Sequence, residues 1–296
     1  MIHDHAQWGP SDQMGAGNLL TVEKRLEALA SVKQGRVYDV SHEIAMGAPY
    51  LAPNQTPYLM SMFSTWRHAI PRRRAMGATN DAGANLERIE MTTHVGTHID
   101  ALGHFSRGDM LYNGNCAADV VTDWGLEKLG IEHAPPMITR GLLFDVAGFD
   151  GGMHLHPGRT VTPDDLKRAA DAGGFSVRPG DIALIRTGWG CYFGVDNAKY
   201  LQGEPGIDLP GARWLIDQGI TAIGADNMAV EVLPNPDKGL SLPVHQHCLA
   251  DRGVYLIENL MLEEMARDRV HTACFILLAT KFRGATGSPA RPIAMI

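Results

Sequence analysis

The chain has 296 residues, 45% apolar and 20% charged, the balance of a globular protein able to bury a large core without disulfides. Lys and Arg total 26 against 33 Asp and Glu, for a net charge of −7, and the densest basic run is Arg72-Arg73-Arg74, which argues against a nucleic-acid or anionic-membrane surface. The longest apolar stretch, residues 275–279, falls far short of the ~20 residues a membrane helix needs.

The first five residues lack the basic-then-apolar pattern of a secretory signal. Cys116, Cys191, Cys248 and Cys274 form no Cys-x-x-Cys pair, so a reduced, cytoplasmic setting is expected. In chain order, Thr21 caps a helix running to about Lys33, with Gly35 as its stop. Residues 36–40 then read as a strand. The stretch 44–85, rich in Pro, Met, Asn and Gly, shows no period and resists assignment. Residues 142–146 read as a short apolar strand. Thr162-Pro163-Asp164-Asp165 starts a helix that Gly173-Gly174 ends. A strand at 181–187, a helix at 209–218 closed by Gly219, and a strand at 220–225 follow. A helical stretch at 245–251 stops at Arg252-Gly253, and strands at 254–257 and 274–282 complete the series. Strands separated by helices predict an α/β fold with a mixed sheet. No repeat or linker divides the chain.

One segment carries chemistry. Of thirteen histidines, three fall within the eleven residues from His94 to His104, which also contain Gly96, His98 and Asp100. On a helix His94 and His98 share a face but Asp100 lies opposite. On a strand all three share parity. Yet four strand residues span ~13 Å, too far for two imidazoles to meet one ion through bonds of ~2 Å. The backbone must fold back between them, and Gly96 is the residue that permits it. Two imidazoles and a carboxylate so arranged leave open coordination positions, which marks a catalytic rather than a closed structural metal site. His104, four residues after Asp100, is placed as a further ligand or a base.

The string His-x-Gly-Thr-His-x-Asp-x-x-x-His also resembles the signature of the metal-dependent cyclase-like hydrolases, the group of bacterial kynurenine formamidases and isatin hydrolases. His94, Gly96, Thr97, His98, Asp100 and His104 match it position by position. Further likeness runs through Trp8-Gly9-Pro10, Leu184 to Trp189, Gly224-Ala225-Asp226 and Gly253 to Asn259. The resemblance implies a swivelling β/β/α single domain over 1–296, residues 1–35 forming an N-terminal extension with a helix packed on it. It also implies a homodimer or homotetramer, with His94, His98 and Asp100 as metal ligands and His104 as catalytic base. Two positions depart from the formamidase pattern. Leu102 stands where that branch has Pro, and its later His, twelve residues before a Glu, would here be Gln246. His245, thirteen before Glu258, is preferred over His247 as the partner of Glu258 in the metal site, and both one-ion and two-ion centres stay open.

Other residues have weaker claims. Asp226 ends the 220–225 strand, where α/β sheets gather ligands, and is placed in or near the substrate site. Trp8, Phe63 and Trp66 fall in loop-like segments and are candidate walls for a planar substrate. His154-x-His156 sits among glycines and reads as a solvated loop. The chain lacks the sequence signatures of a serine-nucleophile elbow, a dinucleotide-binding turn and a phosphate loop. The expected protein is a Zn- or Mn-dependent hydrolase of a small carbonyl compound, a formamide, cyclic amide or lactone. The alternatives are a metal-dependent cyclase or dehydratase and a non-catalytic metal- or ligand-binding protein.

Overall fold

Local signals build the frame where the sequence places them. The structure, a computed structural model, describes residues 7–296, so the reading of the first five residues as free of a secretory signal lies outside it. In order come α1 (Val22–Ala30), β1 (Val37–Asp39), β2 (Leu59–Ser64), α2 (Trp66–Ala75), β3 (Leu86–Glu90), β4 (His98–Asp100), β5 (Met137–Asp145), α3 (Pro163–Gly173), β6 (Ile182–Arg186), α4 (Leu209–Asp217), β7 (Ala222–Ala225), β8 (Tyr255–Glu258), β9 (Thr272–Leu277), β10 (Gly287–Pro289) and β11 (Ile293–Met295), with shorter turns and bridges between them. Thr21 caps α1 by accepting from Lys24 N, and Thr162 and Asp165 cap α3 reciprocally before Gly174, at φ 66°, ends it.

The fold is mixed α/β around one nine-stranded sheet of order β1-β11-β9-β5-β6-β7-β8-β4-β10. The central β5, β6, β7 and β8 run parallel, and every other pairing in it is antiparallel. The parallel centre is covered on both faces, so β6 reads Ile-Ala-Leu-Ile-Arg with all five residues buried. The bridge Ser41–Leu260 ties the end of β1, at one edge, to the chain leaving β8 near the other, so the sheet is curled. Among the described residues no helix is long and apolar enough to cross a membrane.

Three expectations need revision. The stretch 44–85 is not structureless: it contains β2 and α2, and β2 pairs with β3 in an antiparallel hairpin. Almost nothing on this arm is buried; Ala69 alone is buried in α2, and every residue of β3 is exposed. No burial means no hydrophobic period to read, and Pro71 inside α2 hides the helix further. The last long strand ends at Leu277 rather than reaching 282, because Leu278 onward turns outward. The helical stretch at 245–251 is a single turn, Pro243–His245, followed by a π-helical turn, Gln246–Arg252, that Gly253 closes at φ 64°.

The N-terminal segment is tied on by charge. Fully buried Asp181 accepts from Lys24 Nζ of α1 at 2.5 Å, from Arg140 Nη2 of β5 at 2.5 Å and from the Arg178 amide at 2.8 Å. Removing one member of such a buried ionic set strands the others. We therefore expect Asp181→Ala to cost about 3–5 kcal/mol of stability in equilibrium urea unfolding. A loss below about 1 kcal/mol would mean that the cluster is solvated, as exposed pairs are.

Candidate active site

The site begins at one glycine. Between His94 and β4 the chain turns through Gly96 at φ +71°, a conformation that L side chains rarely adopt, and a Cβ there would stand 2.6 Å from Ile44 Cγ1. This turn brings His94 and His98 within 4.9 Å, ring centre to ring centre. The turn is held by Thr97, whose hydroxyl donates to Asn259 O at 2.5 Å and accepts from His42 N. Asn259 Nδ2 in turn donates to Gly96 O at 3.0 Å. The same carbonyl accepts from His98 Nδ1 at 2.8 Å, which leaves the lone pair of neutral His98 on Nε2.

Register supplies the next residues. On β4, His98 and Asp100 project to one face, and β8 pairs with β4 so that Glu258 lies opposite His98. Glu258 Oε2 stands 3.1 Å from His98 Nε2, and Glu258 Oε1 stands 3.0 Å from His245 Nε2. His245 is oriented from behind by Glu231, which sits 2.7 Å from Nδ1 and accepts the His245 amide at 2.9 Å. His94 Nδ1 lies 2.9 Å from Asp100 Oδ1, and its Nε2 faces Thr286 Oγ1 at 3.0 Å. A turn closed by the His104 amide on Ala101 O brings His104 over His94, with rings stacked at 4.1 Å.

The donor set suits a cation. His98, Asp100 and Glu258 offer atoms within 4.8 Å of one another, and so do His94, Asp100 and His104, with Asp100 common to both groups. Although His94 Nδ1 lies 2.9 Å from Asp100 Oδ1 and Glu258 Oε2 lies 3.1 Å from His98 Nε2, the completely buried His98 Nε2 and both Asp100 oxygens have no aligned hydrogen bond. Buried polar atoms are rarely left so. Burial opposes the charge on His98, but nearby Asp100 and Glu258 outweigh it and lift its pKa to about 10. Burial likewise opposes charge on His245, and Glu231 with Glu258 lift it to about 10. His104 goes the other way: burial pushes it down to about 4 and keeps the ring neutral. Three carboxylates, Asp100, Glu231 and Glu258, are buried together, and the cluster draws positive charge.

A cavity of about 630 Å³ opens onto His94, His104, His245 and Glu258. The structure therefore brings together His94, His98, Asp100, His104, His245 and Glu258. His247 points elsewhere, with Nδ1 3.2 Å from Asp251. Four proposed substrate residues do not line this cavity. Trp8 lines a different one, beside Leu19, Pro179 and Arg252. Phe63 and Trp66, 74% and 52% exposed, lie on the hairpin arm and its helix. Asp226 is buried and spent on the turn at Thr187 and Gly188, accepting from Thr187 N, Thr187 Oγ1 and Gly188 N. His154 is half-buried rather than solvated, pinned between Leu155 O and the Tyr192 hydroxyl. Sequence reading missed Glu231, Thr286 and Asn259, polar residues lying far from the motif in the chain. Replacing Glu231 by Gln should weaken divalent-metal binding about 10–100-fold in chelator competition, as loss of a ligand-orienting carboxylate does. Unchanged affinity would mean that His245 takes no part in holding the ion.

With this geometry in view, likeness to known proteins is informative. Residues 38–232 match the family model named Cyclase. A kynurenine formamidase of Bordetella petrii is 24% identical over 258 residues, 87% of this chain and 97% of that one. A crystal structure described as a novel cyclase superposes with a TM-score of 0.88 at 31% identity over the whole of both chains. Isatin hydrolase A from Ralstonia solanacearum has the same fold, with a TM-score of 0.67 at 20% identity over 93% of this chain and 97% of that one. The matched span covers well over half of the chain, and the chain belongs to the Cyclase family.

Proposed function

We propose that the protein is a metal-dependent hydrolase of small amides, formamides or lactams, with lactones as a related class, acting in the cytoplasm. The observation that carries this reading is the buried trio His98, Asp100 and Glu258, in which His98 Nε2 and both Asp100 oxygens lack an aligned hydrogen bond, beside a cavity that also exposes the His104 imidazole. Support comes from relatives named as kynurenine formamidases and from similar structures described as metal-dependent hydrolases.

His94, His98 and Asp100 would hold one divalent ion, and His245 and Glu258, with Asp100 shared, would complete a site for a second. Imidazole and carboxylate donors suit Zn or Mn, neither of which needs redox chemistry here. A bound divalent ion supplies a water of lowered pKa and a polarised carbonyl. His104, held neutral by burial, would act as the base, accepting a proton from the attacking water and returning it to the leaving nitrogen or oxygen. Glu231 keeps the His245 ring oriented, and Thr286 does the same for His94.

The direct test is elemental analysis paired with turnover of arylformamides, lactams and lactones. His104→Ala should retain metal while kcat falls by roughly 10²–10⁴. His94→Ala and Asp100→Ala should lose the metal itself. Full turnover by metal-loaded His104→Ala would overturn the base assignment. Water lost rather than added in the product would select the cyclising lyase instead.

We also propose that the hairpin arm docks on a second copy of the chain. A two-stranded ribbon with both faces in water is marginal by itself. This one exposes Leu59, Met62, Phe63, Leu86 and Ile89. Residues 59–90 hold five arginines against three acids, whereas the whole chain is acidic, so the arm complements the body of a partner copy. Sedimentation should show a dimer or tetramer, and Phe63→Glu with Trp66→Glu should shift it toward monomer. A monomeric parent chain would refute this assignment.

A further inference from the structure

The wall of the cavity says which end of a substrate it can desolvate. Above the donor cluster it is made by Leu51, Met91, Phe105, Met228, Leu233 and Leu242. Three of the polar side chains that reach it are already engaged. Gln55 accepts from Leu51 N at 2.8 Å and donates to His94 O at 3.2 Å. Thr92 Oγ1 is turned to the backbone of Thr56, and Thr286 Oγ1 to His94. Asn54 and Thr93 remain, both uncharged. Apart from the histidines, Glu258 is the one ionisable side chain among the described lining residues, and its oxygens face His98 and His245.

We infer that this site takes an uncharged, predominantly apolar carbonyl compound, such as an aryl or alicyclic formamide, lactam or lactone without an ionised substituent, and that it discriminates against amino-acid-type formamides. The inference rests on the hydrolase reading and narrows it. An ionised carboxylate or ammonium seated against Leu, Met and Phe side chains gives up its hydration and meets no counter-charge on that wall. An aromatic ring seated there gains from burial, and the volume suits a compound of one or two rings. The wall is also fixed in place. Fully buried Glu204 accepts the amides of Met228 and Ala229, each at 2.8 Å, so the Met228 side chain can be exchanged while its backbone stays tethered.

The test uses two compounds with the same scissile bond, formanilide and its 4-carboxylate congener, on the metal-loaded full chain. The expected result is a kcat/KM for formanilide greater by about 10² or more. Met228→Arg should shrink that preference by at least about tenfold, by giving the carboxylate a partner. Equal or reversed preference in the parent chain overturns the inference and leaves the hydrolase reading intact. If neither compound is hydrolysed, turnover across the lactams and lactones decides the hydrolase reading, and calorimetric binding of the same pair decides the inference separately. Tighter binding of formanilide by about tenfold or more supports it. Equal or reversed affinities, or no binding of formanilide up to its solubility, overturn it.

Discussion

The structure turns on an imbalance at Asp100. A completely buried carboxylate with neither oxygen in an aligned hydrogen bond would be costly in any fold, and here Glu258 and Glu231 are buried close by. His98 and His245 answer with raised proton affinity, and in that state they do the work of a cation. A divalent ion would do it better, because it meets several lone pairs at once. The surrounding architecture holds this concentration of negative charge in place against its own repulsion.

That holding is done by backbone in unusual conformations. Gly96, Asn259, Val230 and Leu242 all have positive φ, and each lies within the site or in the segments that support it. Val230 is the most telling, since a β-branched residue at φ 59° is strained. It sits fully buried beside Glu231, in a segment whose amides Glu204 clamps, and Glu231 orients His245. Strained backbone gathers where surrounding structure over-determines it, and functional sites are the usual place.

The histidine string and the frame were legible from residues because both are local. Capping boxes, stop glycines and the spacing from His94 to His104 involve neighbours in sequence. The need for a bend at Gly96 followed from reach alone. What could not be read was adjacency. Nothing local says that β8 lies antiparallel to β4, or that this register sets Glu258 against His98. Glu231, Thr286 and Asn259 contribute only through contacts with distant segments, so their types carry no signal. The aromatic residues failed for the opposite reason. Trp8, Phe63 and Trp66 look like pocket walls in composition, but they belong to another cavity and an exposed arm. Asp226, at a strand end as ligand residues often are, is consumed by the turn at Thr187 and Gly188.

The pairing of β4 with β8 and β10 has one more implication. β4 is three residues long and is joined to the sheet by those two short ladders. A slip of one residue would turn His98 and Asp100 to the opposite face. An ion gripping residues of both β4 and β8 would therefore act as a rivet across the seam, and starving the protein of metal would loosen the sheet at this border first.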